Sequence, residues 1–214
     1  AAAELETLPQ QQFELVYGGM LQHINRRKIR GSELSTHELL WSSQYGVGAN
    51  MAFRATIFEA VGNFDVALDV GTPSRGAGDI EMFHRILAKG YSTFYDASAF
   101  VWHLHRRSAE ALSRQLQDNG RSFGAYLLTC YRNGTVGGFE ILQFAMFQWF
   151  NWWLLRRLRH PGLLPRNLVV SELLGALHSP FSYMAAQSQA RKLEELSLEE
   201  QSQPEPQTVA GGAG

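Results

Sequence analysis

The run "FEILQFAMFQWFNWWLLRRLRH", Phe139 to His160, constrains this chain more than any other stretch. Trp149, Trp152 and Trp153 stand among phenylalanines and aliphatic residues, and Arg156, Arg157 and Arg159 follow them. That much aromatic surface has to leave water, either into a core or against lipid. At about 100° per residue, Glu140, Gln143, Gln148 and Asn151 share one stripe, and nearly everything else is apolar. The uncharged part is shorter than the roughly 20 residues that a spanning helix needs. The expectation is therefore a helix lying in a membrane interface, aromatic residues down and arginines at the headgroups. The competing reading is a buried helix of a larger helical layer.

The remaining composition describes a folded unit. With 45% hydrophobic residues in 214, there is room for one sizeable domain with additions. A net charge of −1 lacks the basic excess of a nucleic-acid binder, so no nucleic-acid partner is expected. The single cysteine, Cys130, cannot close an internal disulfide, which fits a reducing compartment. The opening "AAAELETLPQQQ" has no initiator Met and no signal-peptide pattern, and the chain reads as a fragment of a longer one.

Along the chain, residues 13–30 suggest a helix broken at Gly18-Gly19, and "GSELSTHELL" suggests a polar turn. A short helix "ATIFEAVG" closes at Gly62, and a glycine-rich loop follows, "VALDVGTPSRGAG". Ile80, Phe83 and Leu87 then mark one face of a helix that stops at Gly90. "YSTFY" and "AFVWH" read as two short strands, and Ser108 to Tyr131 as a helix with an interruption near Asn119-Gly120. A further helix is expected from Pro165 to about His178, ended by "SPF". The units so drawn are 13–131, the amphipathic helices of 132–193, and a polar tail, 194–214, expected to be disordered.

The chemistry concentrates in three places. In "RGAGDIEMF", Asp79 has the position of a helix N-cap and Glu81 falls in the favourable first turn. Glycines ahead of it let a loop approach a ligand, and a helix start holds a carboxylate rigidly, as a general base requires. Glu81 is assigned to the substrate side. In "WHLHRR", a strand would turn His103 and His105 to one side. There they could ligate a metal or meet a phosphate together with Arg106 and Arg107, although a merely structural pair is the commoner outcome. In "GVGANMAFR", Gly48, Asn50 and Arg54 suit a loop packed against a ligand.

Taken in order, "GVGANMAFR", "VGNFDVAL", "GTPSRGAGDIEMFHRILAKGY", "YDASAFVWHLHRR" and "SRQLQDNGRSFGAYL" resemble the second half of the catalytic domain of family 2 glycosyltransferases, the inverting GT-A type. The resemblance covers about residues 45–128. It implies an α/β fold, an incomplete GT-A-like mixed sheet followed by amphipathic helices. It also implies that Asp79 deprotonates an acceptor hydroxyl, which then attacks a nucleotide-sugar donor with inversion. His103 would lie near a Mg²⁺ or Mn²⁺ ion and the diphosphate, and Gly48, Asn50 and Arg54 would line the donor–acceptor cleft. The acceptor would be a glycan, a lipid-linked sugar or a protein, at the cytoplasmic face of a membrane or in the cytoplasm.

Two departures qualify this. Gly78 stands where the family usually has Glu, and the nucleotide-binding half with its Asp-x-Asp motif is missing from the 214 residues. The chain alone is expected to be inactive. A non-enzymatic membrane-surface module is the alternative, and a metal-dependent hydrolase built on Asp79, His103 and His105 is a weaker one.

Overall fold

Helix dominates the chain, and among the described residues the sheet has two strands. The computed structural model describes residues 2–17, 26–162 and 164–202. In order come α1 (Leu8–Tyr17), β1 (Arg27–Arg30), α2 (Thr36–Leu40), α3 (Thr56–Val61), α4 (Gly78–Ala88), β2 (Ser92–Tyr95) and α5 (Ala109–Arg132). Then follow α6 (Gly138–Gln143), a π-helical stretch Phe144–Leu155, α7 (Arg156–Arg159) and α8 (Arg166–Ser202). Strands and helices thus share one unit, but a mixed GT-A-like sheet is not found among the described residues. β1 and β2 pair antiparallel, with Arg27 opposite Tyr95 and Arg30 opposite Ser92.

Several local expectations are corrected. "RKIR" is strand rather than helix, because it pairs along its length with "STFY" and buries Ile29. Gly18-Gly19 lies outside the described residues. "AFVWH" is not a strand of the sheet; it carries an isolated bridge, from His103 to Ala2. The polar "STHELL" becomes α2, started by a capping box in which Ser35 and Glu38 satisfy each other's backbone N–H groups.

The longest packing surface is α5 against α8. α5 passes through Asn119-Gly120 unbroken, because Gly120 sits at the crossing, where a Cβ would strike the Glu172 carbonyl. α8 likewise continues through Pro180 instead of ending at "SPF". Proline has no N–H for the carbonyl four residues back, here Ala176. The Ser179 hydroxyl donates to that oxygen instead, at 2.7 Å. Residues 194–202, expected to be disordered, continue α8, and their Leu and Glu content suits a solvated helix as well as a coil. Residues 203–214 lie outside the described residues.

The aromatic run is divided between core and surface. Phe144, Trp149 and Leu154 are buried. Five residues are about 140° out of step on an α-helix. The wider i→i+5 winding brings these three to one side. There they join Trp41, Phe123 and Tyr126; Trp41 and Phe123 stack at 5.6 Å and Phe123 and Trp149 at 6.2 Å. Phe139, Leu142, Met146, Phe147 and Trp152 remain exposed. Neither sequence reading holds alone, since one side of this segment is core and the other is uncovered. Of the arginines expected at headgroups, Arg156 and Arg159 are exposed, but Arg157 is buried against Glu172.

Two titratable groups belong to this core. Burial, the largest cause, pushes the Cys130 thiol up to about 12, so it behaves as a small apolar side chain. His84 is fully buried, with Nδ1 3.1 Å from both the Leu39 carbonyl and the Tyr126 hydroxyl, and Nε2 3.1 Å from the Thr135 hydroxyl. Desolvation holds this imidazole below its ordinary 6.5. The unfolded chain binds that proton and the folded chain resists it, so His84's contribution is complete above pH 6.5 and is lost as pH falls below it. Below that point the native state should lose up to about 1.4 kcal/mol per pH unit through this group. Urea unfolding from neutral pH downward should show this slope in the wild type and a shallower one in His84→Gln.

Candidate active site at the start of α4

The chain enters α4 through three successive residues of left-handed backbone, Arg75 (φ 66°), Gly76 (φ 128°) and Ala77 (φ 79°). Glycine takes such angles freely, but at Arg75 and Ala77 they cost on the order of 1–3 kcal/mol each. The surroundings hold the loop in place. Ser74 and Ala77 are buried, and the Thr72 hydroxyl lies 2.9 Å from the Ala67 carbonyl and 2.7 Å from that of Asp69. Strain kept at one loop points to a constraint other than stability.

Ala77, not Asp79, is the N-cap, and it offers no side-chain cap. Asp79 is the second residue of α4 and turns its carboxylate to the "GVG" loop, where Oδ2 accepts from the Gly48 N–H at 2.6 Å. Both glycines are needed for that approach. A Cβ at Gly46 would enter the Phe83 ring, and one at Gly48 would press on Asp79. Asn50 ties the same loop to the 96–99 turn, its Nδ2 donating to the Ala99 carbonyl at 2.9 Å. The glycine loop thus links the half-exposed Asp79 carboxylate on one side to the 96–99 turn on the other. Gly78 also has a local reason to lack a side chain, since a Cβ there would lie 3.3 Å from the Leu68 carbonyl.

The other expected residues make different contacts. Glu81 is about 200° further round α4. It is buried and paired with Arg85 at 2.6 Å, and Arg85 also donates to the carbonyls of Val61 and Asn63. Burial raises the Glu81 carboxyl above its ordinary value, with Arg85 opposing. Arg85 fastens α3 to α4, and the Glu81 carboxylate holds Arg85 from inside the protein. Arg54 is exposed just ahead of α3.

The "HLHRR" segment is covered by the N-terminal residues, a partnership across about ninety to a hundred positions that no local pattern could reveal. The Ala3 N–H donates to the His103 carbonyl at 2.9 Å. His105 Nε2 lies 2.7 Å from Glu14 of α1, and Arg107 is held by Glu4 and Glu6. His103 and His105 face one another, Nδ1 to Nδ1 at 3.4 Å. Desolvation first, then His105, keeps the His103 imidazole below its ordinary range. Arg106 is exposed.

Part of this segment is already committed to protein partners. The second nitrogen of His105 is taken by Glu14, and the described residues hold no group of three or more His, Cys, Asp or Glu arranged for an ion. Sequence reasoning also missed the buried cluster of Tyr17, Trp153, Arg157 and Glu172. Its one legible sign was an arginine set in an aromatic run.

No helix among the described residues is long and apolar enough to cross a membrane. Comparisons with protein-family models, curated proteins and solved structures return no match.

Proposed function

We propose that this chain is the acceptor-side part of an inverting glycosyltransferase of the family 2, GT-A type, with Asp79 as general base. The observation that carries the reading is the Asp79 carboxylate, fixed by Gly48 at 2.6 Å beside a strained loop and half-open to solvent. With Oδ2 occupied by a backbone donor, Oδ1 is the oxygen left to take a proton. The acceptor O–H gives its proton to Asp79 as its oxygen bonds to the anomeric carbon, and the bond from that carbon to the diphosphate oxygen breaks with the electron pair. Attack from the face opposite the diphosphate inverts the configuration. No step here runs through a metal; the Mg²⁺ or Mn²⁺ of the family would need ligands beyond His103 and His105.

The donor in this reading is a nucleotide-sugar, bound by a half that precedes these residues in a longer chain. The uncovered apolar side chains of Phe94, Phe100, Trp102 and Leu104 support it, because they offer a surface for a further layer. The acceptor is a glycan, a lipid-linked sugar or a protein. The exposed aromatic side of residues 139–152, with Arg156 over the Trp152 ring at 5.8 Å, supports work at a membrane surface. The non-enzymatic alternative draws on the acidic residues that already occupy His105 and Arg107.

The test is transfer from a panel of labelled nucleotide-sugars by the full-length protein, with the product's anomeric configuration read by NMR. Inverted product is expected; retention of configuration, or no transfer from any donor, rejects the reading.

A further inference from the structure

A cleft of about 420 Å³ lies between residues 71–75 and the middle of α8, and neither Asp79 nor Gly48 lines it. Arg75, Arg121, His178 and Phe181 are among its walls. The carboxylate near the two arginines is Asp118, whose Oδ1 is 4.0 Å from Arg75 Nε and 3.9 Å from Arg121 Nη1. At those distances it forms a hydrogen bond with neither. Arg121 Nε is moreover buried and finds no acceptor among the described residues. A buried guanidinium N–H without an acceptor is unfavourable, and an incoming anion relieves it. Two guanidinium groups stand against one carboxylate, and the His178 imidazole lines the same space, so the cleft favours an anion.

Phe181 belongs to a second feature as well. Along α8, Val170, Leu174, Leu177, Phe181 and Met184 recur at alternating spacings of four and three, which places them on one face. They are 41%, 52%, 66%, 69% and 69% exposed. The opposite face, with Val169, Glu172, Ser179 and Ala186, is buried. The apolar face spans roughly 20 Å at 1.5 Å per residue, comparable to the depth of one bilayer leaflet. It meets the cleft at Phe181, which lines both.

We infer that the cleft and this face of α8 together form a site for a phosphate-bearing lipid, with the phosphate among Arg75, Arg121 and His178 and the hydrocarbon against Leu177, Phe181 and Met184. A soluble phosphate would satisfy the arginines but leave the apolar face in water. A phosphopeptide would set its polar backbone against that apolar face. The site does not depend on Asp79 being a base, although Arg75 begins the strained turn that leads to it.

Sedimentation of the full chain with vesicles tests this, using phosphatidylcholine alone and phosphatidylcholine with a minor fraction of phosphatidic acid. Partition onto the phosphatidic acid vesicles should fall about tenfold or more in Arg75→Gln/Arg121→Gln. It should also fall in Leu177→Ser/Met184→Ser, with thermal unfolding unchanged because these residues are exposed. Arg191→Gln/Lys192→Gln removes the same charge from exposed positions of the same helix and should leave partition within about twofold. An equal loss in that control, or equal binding to neutral vesicles, overturns the inference. Full displacement by inorganic phosphate also overturns it, because the cleft would then hold a soluble anion.

Discussion

Replacing Arg157 with methionine is expected to lower the folding free energy by about 3–5 kcal/mol. Arg157 is 4% exposed, and its guanidinium donates to Glu172 at 2.7 Å, to the Tyr17 hydroxyl at 2.7 Å and to the Trp153 carbonyl at 3.0 Å. It also lies over the Trp153 ring, 4.1 Å from its centroid. Glu172 in turn accepts from Tyr17 at 2.6 Å and from Trp153 Nε1 at 3.0 Å. Every member has partners, which is the condition under which a buried network is stable. Burial, aided by Glu172, raises the Tyr17 hydroxyl well above its ordinary range, so it remains a donor. Without Arg157 the Glu172 carboxylate is left buried and uncompensated, and α1, α7 and α8 lose their shared fastening.

The physics also predicts a rescue. Arg157→Met with Glu172→Leu removes both charges and should recover most of the loss. Urea denaturation of the single and double variants measures both. A single variant within about 1 kcal/mol of wild type, or a double variant no better than the single, sinks the account of this cluster.

Local patterns were legible in the sequence, and distant partnerships were not. The face of Ile80, Phe83 and Leu87 and the stop at Gly90 located α4, and the short run "YSTFY" located β2, because those signals are complete within a few residues. Asp79 was found as a rigidly mounted carboxylate for the same reason. Its role as a cap was wrong, because the hydrogen bond from Gly48 crosses 31 positions. Glu81, two residues on, was misplaced by the same blindness, since only the turn of the helix separates a solvent-facing carboxylate from a buried one. The aromatic run failed differently. Its projection assumed α-helical winding, and the π-helical stretch rotates Phe144, Trp149 and Leu154 into the core instead.

The largest expected rate effect is that of Asp79→Asn in the full-length protein. Asparagine keeps an oxygen that can accept from the Gly48 N–H, so the loop, the helix start and the fold should all survive. It cannot take the acceptor proton, and positioned general bases are worth about 10²–10⁴-fold. Asp79→Ala would confuse the two roles by freeing the loop as well, which makes the asparagine variant the cleaner test. The deciding measurement is sugar transfer by wild type and Asp79→Asn at matched thermal unfolding. The account predicts a fall of about 10²–10⁴-fold in turnover with an unchanged melting temperature. Turnover within a few-fold of wild type would contradict it, and would leave Asp79 as an anchor for the Gly48 loop.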